Sequence, residues 1–314
     1  MIEWAGVAVA VGIALGVDRV LGEPAARWHP VVGMGRYLGA VGRRIAPVAG
    51  AGGTEGRAAA RWRPFLLGAM GWCLGAAGVG ALALGVQWGL AQGPAWLAVG
   101  LSGLLLKPLL AWRMLREEVL AVEAALVDES LDAGRARLAR LVSRDVSSLS
   151  AAEVRESAIE SLAENLNDSV VAPLCWFVVL GLPGAAVYRF ANTADAMWGY
   201  RDEREWCGKW AARADDLLSW LPARLTALVL LPPSLLGVMR EAHRTPSPNS
   251  GWPMAAMALR LDLRLSKPSV YTLHAAGRSA TAADLPAARA VAQQAVVAGT
   301  VLAAALAWAL RGTT

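Results

Sequence analysis

The sequence has no Cys-x-x-Cys pair, no Lys/Arg-rich run, no Walker A pattern and no internal repeat. Each absence argues against a class of protein. Cys73, Cys175 and Cys207 are scattered, and Cys73 and Cys175 sit in apolar stretches. They read as packing residues, so neither a disulfide framework nor a zinc site is expected. The formal net charge of +5 is spread along the chain. Without a basic patch, nucleic acid is not an expected partner. Charge itself is scarce, at 18% Asp, Glu, Lys and Arg, where a soluble domain carries about 25%. The N-terminus lacks the basic n-region of a signal peptide and reads as a retained first membrane segment.

What remains is apolar. The 314 residues are 56% hydrophobic, and the mean hydropathy is +0.41. Fourteen Trp against three Phe suit anchoring at a membrane interface. A bilayer core needs about 20 apolar residues in a helix. Candidate spans are Ile2–Val17, Phe65–Leu90, Ala95–Trp112, Val170–Phe190, Leu225–Met239 and Val291–Leu310. Gly68, Gly71, Gly75, Gly78 and Gly85 in the second suit close helix packing. Lys107 lies near one end of the third, where a lysine snorkels to the interface.

Four polar segments separate these stretches. Arg27, Arg36, Arg43, Arg44, Arg57, Arg61 and Arg63 put residues 21–64 on the cytoplasmic side. The uncharged Ala91–Pro94 connection then faces out, and residues 113–169 return inside. A full crossing at Val170–Phe190 would put Arg201, Arg204, Lys209, Arg213 and Arg224 outside, against the positive-inside rule. Pro173, the Gly181–Gly184 stretch and Pro232–Pro233 instead suggest re-entrant hairpins, tolerated where protein covers the freed backbone. The expected fold is therefore all-α: one polytopic membrane domain over 1–314, with broken or re-entrant segments and a site facing the cytoplasm.

Four stretches carry chemistry. Ser150 and Glu153 form a capping box, so a helix starts near Ala151. On that helix Glu153, Glu160, Glu164 and Asp168 fall on one stripe, opposite Ala158, Ile159, Leu162 and Leu166. Such a stripe is either a solvated face or a cation site. It leads directly into apolar sequence, where an unpaired carboxylate costs roughly 2.5–3.5 kcal/mol at mid-bilayer. Mg²⁺ held by Glu160, Glu164 and Asp168 would offset that cost. The second stretch, Asn192–Thr226, mixes Asn192, Asp195, Lys209, Arg213, Asp215, Asp216 and Arg224. It suits either local ion pairs or an anionic substrate. In the third, Asp18, Glu23, His29 and Arg36 follow the first apolar run. The fourth, Ser247–Pro253, is a turn whose amides suit a phosphate.

Taken in this order, the stretches resemble the CobD/CbiB family, the adenosylcobinamide-phosphate synthases of cobalamin biosynthesis. The resemblance rests on DRVLGEPAARWHP, SRDVSSLSAAEVRESAIESLAENLNDSVVAP, YRFANTADAMWGY, GKWAARADDLLSWLPARLT and SPNSGWPMAAMA, spanning residues 18–258. After the last motif the chain departs from the family pattern, with Leu259, Ser266 and Lys267 where Ala or Gly is usual. The resemblance implies a membrane ligase. It would join a propionate of adenosylcobyric acid to aminopropanol or its O-phosphate, with ATP and Mg²⁺ as cofactors. The implied partners are those substrates, the lipid bilayer and other late cobalamin-pathway membrane enzymes. Fitted to that chemistry, Glu160, Glu164 and Asp168 hold the metal and its phosphates. Lys209, Arg213 and Arg224 bind phosphate or corrin carboxylate, and Asp195 and His29 are the candidate bases. Asn165, Asn192, Ser247 and Asn249 are the remaining expected substrate contacts. The rival class is an ion-coupled transporter. The flanking position of the charges and the lack of paired repeats weigh against it.

Overall fold

The computed structural model describes residues 4–45, 59–199 and 205–309. Arg57, Arg201, Arg204 and Leu310, used in the readings above, lie outside the described residues. The chain divides into two compact units, each built from segments distant in sequence.

The first unit takes the described residues up to 110 and those from 173 to 218. It contains α1 (Trp4–Leu21), α2 (Pro30–Ile45), α3 (Ala59–Leu90) and α4 (Ala95–Leu106), which ends in a tight turn at Lys107–Leu109. The second unit takes residues 111–172 and 219–309. It begins with α5 (Trp112–Asp128), α6 (Leu131–Leu138) and α7 (Ala151–Leu166). After α7 a π-helical stretch, Asn167–Val171, leads into α8 (Ala172–Leu180), α9 (Leu182–Trp198) and α10 (Glu205–Val229). Most of α8, all of α9 and the first half of α10 belong to the first unit. The second unit resumes with α11 (Leu235–Ala242), α12 (Gly251–Leu261), a hairpin of β1 (Leu265–Lys267) and β2 (Tyr271–Leu273), and α13 (Asp284–Ala309).

In the first unit α3 is apolar after Arg63, and its 32 residues would span about 48 Å at ~1.5 Å per residue. The stretches Arg61–Leu90 and Ala95–Asp128 are long and apolar enough to cross a membrane. Leu66, Met70, Leu74, Leu82, Leu84 and Trp88 are all exposed on α3, a surface suited to lipid. Of the five α3 glycines singled out above, three meet neighbours closely. A Cβ at Gly68 would strike the Cys207 backbone, at Gly71 the Val41 side chain, and at Gly75 both Phe190 and Tyr37. Gly78 and Gly85 face open space. Cys73 also points outward and is exposed, which corrects its reading as a packing residue.

The Val170–Phe190 stretch is broken, but the break falls at Gly181 and not at Pro173. Gly181 takes φ +71° between α8 and α9, and Gln87 Oε1 accepts the next amide, Leu182 N–H, at 2.8 Å. The expected span Leu225–Met239 is not one segment. The α10 helix runs unbroken to Val229, Leu231 turns the chain at φ 51°, and α11 starts at Leu235.

In the second unit α7 is the central helix. It packs against α5, α6, α12, α13 and β1. Val154, Ala158, Ile159, Leu162, Ala163 and Leu166 are buried along it. The expected capping box is present: Ser150 N–H donates to Glu153 Oε2 at 2.8 Å, and Ser150 Oγ accepts from Glu153 N–H. Two side-chain contacts fix its neighbours. Arg155 donates to both oxygens of Glu123 on α5, at 2.8 and 2.7 Å. Glu156, fully buried, accepts from Ser266 Oγ on β1 at 2.8 Å. The mostly helical structure carries one small hairpin among the described residues: β1 and β2 pair antiparallel, with Lys267 opposite Tyr271.

Candidate active site

The acid stripe of α7 is not a solvated face. Glu160 is buried with 5% of its surface exposed, and it lines a polar pocket of about 250 Å³. Arg144, Ser157, Ser161, Glu164, Asn165, Lys267 and Tyr271 share the wall. Three elements assemble it, all in the second unit. The α7 helix supplies the carboxylates and Asn165, which donates to Ser161 O at 2.9 Å. The loop after α6 supplies Arg144. Its next residue, Asp145, accepts from Ser147 N–H and Oγ at 2.9 and 3.0 Å, which fixes the turn and lowers the Asp145 pKa. The hairpin supplies Lys267 and Tyr271 from opposite strands.

Arg144 is the cation of the pocket nearest Glu160. Its Nη2 donates to Ser157 Oγ at 2.6 Å and to Glu160 Oε2 at 3.3 Å. Its Nε and Nη1 are buried without a hydrogen-bond partner, as is Glu160 Oε1. Burial pushes the Glu160 carboxyl up to about 7, against the lowering pull of Arg144 and the Tyr271 hydroxyl. Desolvation wins because Arg144 meets only one carboxylate oxygen, at a long distance. Burial likewise raises the pKa of Glu156. It also raises that of Tyr271, with Glu160 and Glu164 adding to the effect.

Glu160, Glu164 and Asn165 therefore come together, and Asp168 is not on that wall. The cause is local. The π turn at Asn167–Val171, closed by Ala172 N–H to Asn167 O, interrupts the 100° step that put Asp168 on the stripe. Asn167 Nδ2 donates to Asp168 Oδ1 at 2.7 Å, and Asn167 Oδ1 accepts from Thr226 Oγ1 at 3.0 Å. Among the described residues no group of three or more His, Cys, Asp or Glu is placed to hold a metal ion. The three-carboxylate Mg²⁺ set is thus not assembled, and Glu160 already faces a guanidinium.

The other expected residues fall into separate groups. Arg224, Ser247 and Asn249 do meet, in the second unit. Arg224 Nη1 donates to Asn249 Oδ1 at 2.7 Å and Nη2 to Pro248 O at 3.1 Å. Its guanidinium stacks on Trp220 and Trp252 at 4.7 and 4.6 Å. The Asn249 and Ser250 amides both donate to Ser247 Oγ at 3.2 Å. That loop is closed on itself rather than open to a phosphate.

In the first unit, Lys209 pairs with Glu205 at 3.5 Å and lies over the Trp206 ring, and Arg213 pairs with Asp216 at 3.7 Å. Asn192 and Asp195 share α9, where Asn192 Oδ1 accepts from Arg189 at 3.4 Å. His29 accepts Val31 N–H on Nδ1 at 3.2 Å, so its proton sits on Nε2 and is donated to Glu23 Oε2 at 3.0 Å. Glu23 also accepts from Lys107 Nζ at 3.0 Å. Lys107 is buried and does not snorkel.

An apolar helical chain with a small charge-lined pocket is the class these features define. The sequence model of the CobD/Cbib protein family matches residues 11–305. A probable cobalamin biosynthesis protein CobD of Pyrococcus abyssi is 41% identical over 268 residues, 84% of this chain and 84% of its own length. The cobalamin biosynthesis protein CobD of Rhodobacter capsulatus is 38% identical, covering 82% of each chain. That of Chromobacterium violaceum is 42% identical, over 84% of this chain and 83% of its own. No solved structure matches. The chain belongs to the CobD/CbiB family of cobalamin biosynthesis.

Proposed function

We propose that this chain forms the amide bond between a propionate of adenosylcobyric acid and (R)-1-amino-2-propanol or its O-phosphate, giving adenosylcobinamide or its phosphate. Family membership supports the pathway. The observation that carries the reaction class is the pocket, whose wall sets Arg144 and Lys267 with Glu160 and Glu164. At about 250 Å³ it falls below the roughly 300–1,000 Å³ that takes a drug-sized ligand, and so suits the small amine.

A carboxylate is a poor acyl donor. ATP, as the resemblance implies, would activate it as an acyl phosphate, which the deprotonated amine attacks to release phosphate. Mg²⁺ enters only through the resemblance, and no residue of this chain is assigned to it. The residues' part is to bind the amine, orient it and keep bulk water out. The protein would sit in the cell membrane with this pocket open to the cytoplasm. The test is detergent-solubilised protein given adenosylcobyric acid, Mg²⁺ and each amine, with and without ATP, and read by corrinoid mass. An ATP-dependent mass increase by the amine less one water is expected. Its absence with every amine would overturn the reading.

A further inference from the structure

We propose that Arg144 and Lys267 form the anion-reading edge of the α7 pocket, which takes a short alkylammonium phosphate with its ammonium on the Glu160–Glu164 side. This rests on the amide-forming reading above and assigns residues that the motifs did not.

The buried donors argue for an anion. Arg144 has Nε and Nη1 enclosed without partners, while Nη2 is anchored by Ser157 and Glu160. A guanidinium buried with unmet N–H groups is costly unless a ligand supplies acceptors. Lys267 lines the same pocket, held there by its register with Tyr271. A phosphate monoester carries close to two negative charges near neutral pH, and two cations line this wall.

The carboxylate side argues for the ammonium. Glu160 Oε1 is buried and unpartnered, and Glu164 lies on the same wall. The pocket is too small for a nucleotide or a corrin, which leaves the amine substrate as its occupant. A carboxylate zwitterion such as threonine has the same ammonium but a single negative charge, and so satisfies one cation.

Binding to full-length solubilised protein tests this without turnover. The probes are aminopropanol phosphate, free aminopropanol, threonine and inorganic phosphate, titrated by calorimetry. The phosphate ester should bind about tenfold or more tighter than the free amine or threonine. Arg144→Gln should abolish that preference. Lys267→Gln, on the hairpin, should reduce it in a protein that folds normally, which keeps the test open if Arg144→Gln does not fold. Equal binding of ester and free amine, or an unchanged preference in Lys267→Gln, would overturn the assignment. The two readings fail separately. Arg144-dependent ester binding without ATP-dependent product would sink the ligase reading alone. Product formation with ester binding indifferent to both variants would sink this one alone.

Discussion

Lys107 Nζ lies 3.0 Å from Glu23 Oε2 inside the first unit, with Asp18 Oδ1 at 3.6 Å as a second counter-charge. Asp18 is fully buried and Lys107 nearly so. Removing one partner of a buried pair strands the other charge. Lys107→Ala should therefore cost about 3–5 kcal/mol, read as a large fall in the thermal midpoint in detergent. Lys107→Ala with Glu23→Gln should recover part of the loss. A single variant that melts like the parent would mean that the pair contributes nothing.

The start of α13 gives an acid-sensitive contact. Arg278 grips both oxygens of Asp284 at 2.7 and 2.6 Å, and Thr281 N–H donates to the same carboxylate at 2.7 Å. The guanidinium first, then the Thr281 donors, hold Asp284 down to about 2 from 3.8, against desolvation. A depressed carboxyl stabilises the fold fully above its unfolded value and loses that contribution as pH falls through the folded one. The window is thus pH 4 to 2. The size is about 1–2 kcal/mol after allowance for the half-exposed Arg278. Unfolding midpoints of the parent and Asp284→Asn should differ at pH 6 and converge near pH 2. A gap that does not change with pH would sink the assignment.

Arg224, stacked between Trp220 and Trp252, fastens the Pro248–Asn249 loop. Lysine keeps the charge but neither the plane nor the fork. Arg224→Lys should raise amide exchange at Trp252 and neighbouring loop amides about tenfold, equivalent to roughly 1.4 kcal/mol of local opening. Unchanged exchange would show that the loop closes without the clamp.

How much of this was legible in the sequence varied by residue. The Ser150–Glu153 box and the start of α7 were, because both are local. Glu160, Glu164 and Asn165 were brought together by helical spacing alone. Asp168 was misplaced because periodicity assumes a constant step, and the π turn breaks it. Arg144 was quoted in a motif without a role, since its partners Ser157 and Glu160 lie on another element. Lys267 and Tyr271 reach the pocket only through a hairpin that residue patterns did not reveal. Lys267 was visible only as a departure from the family pattern. Arg224 was grouped by charge with Lys209 and Arg213, yet its guanidinium meets Asn249 and Pro248 of the Ser247–Pro253 loop, a pairing across two stretches that composition cannot tell.

The last prediction concerns which side of the membrane the pocket faces. Arg61 and Arg63 stand at the start of the α3 stretch and Trp88 near its end, an arrangement that suits a cytoplasmic start and an interfacial finish. The uncharged turn Ala91–Pro94 then sends α4 back, and Arg113 and Arg116 follow on α5. Between α4 and α11 the two stretches expected to cross are both broken among the described residues. The nine residues of α8 reach about 14 Å, half of a ~30 Å core. The 225–239 stretch is broken at Leu231. All polar segments after α4 are therefore expected on the cytoplasmic side. The check is single cysteines at Ala133, Ala212 and Ala283 in a background with Cys73, Cys175 and Cys207 replaced by serine. Each should resist a membrane-impermeant thiol reagent in intact cells and react once the cells are opened. Labelling at position 212 from outside would require a full crossing between α4 and α10. It would remove the re-entrant reading of α8 and α9.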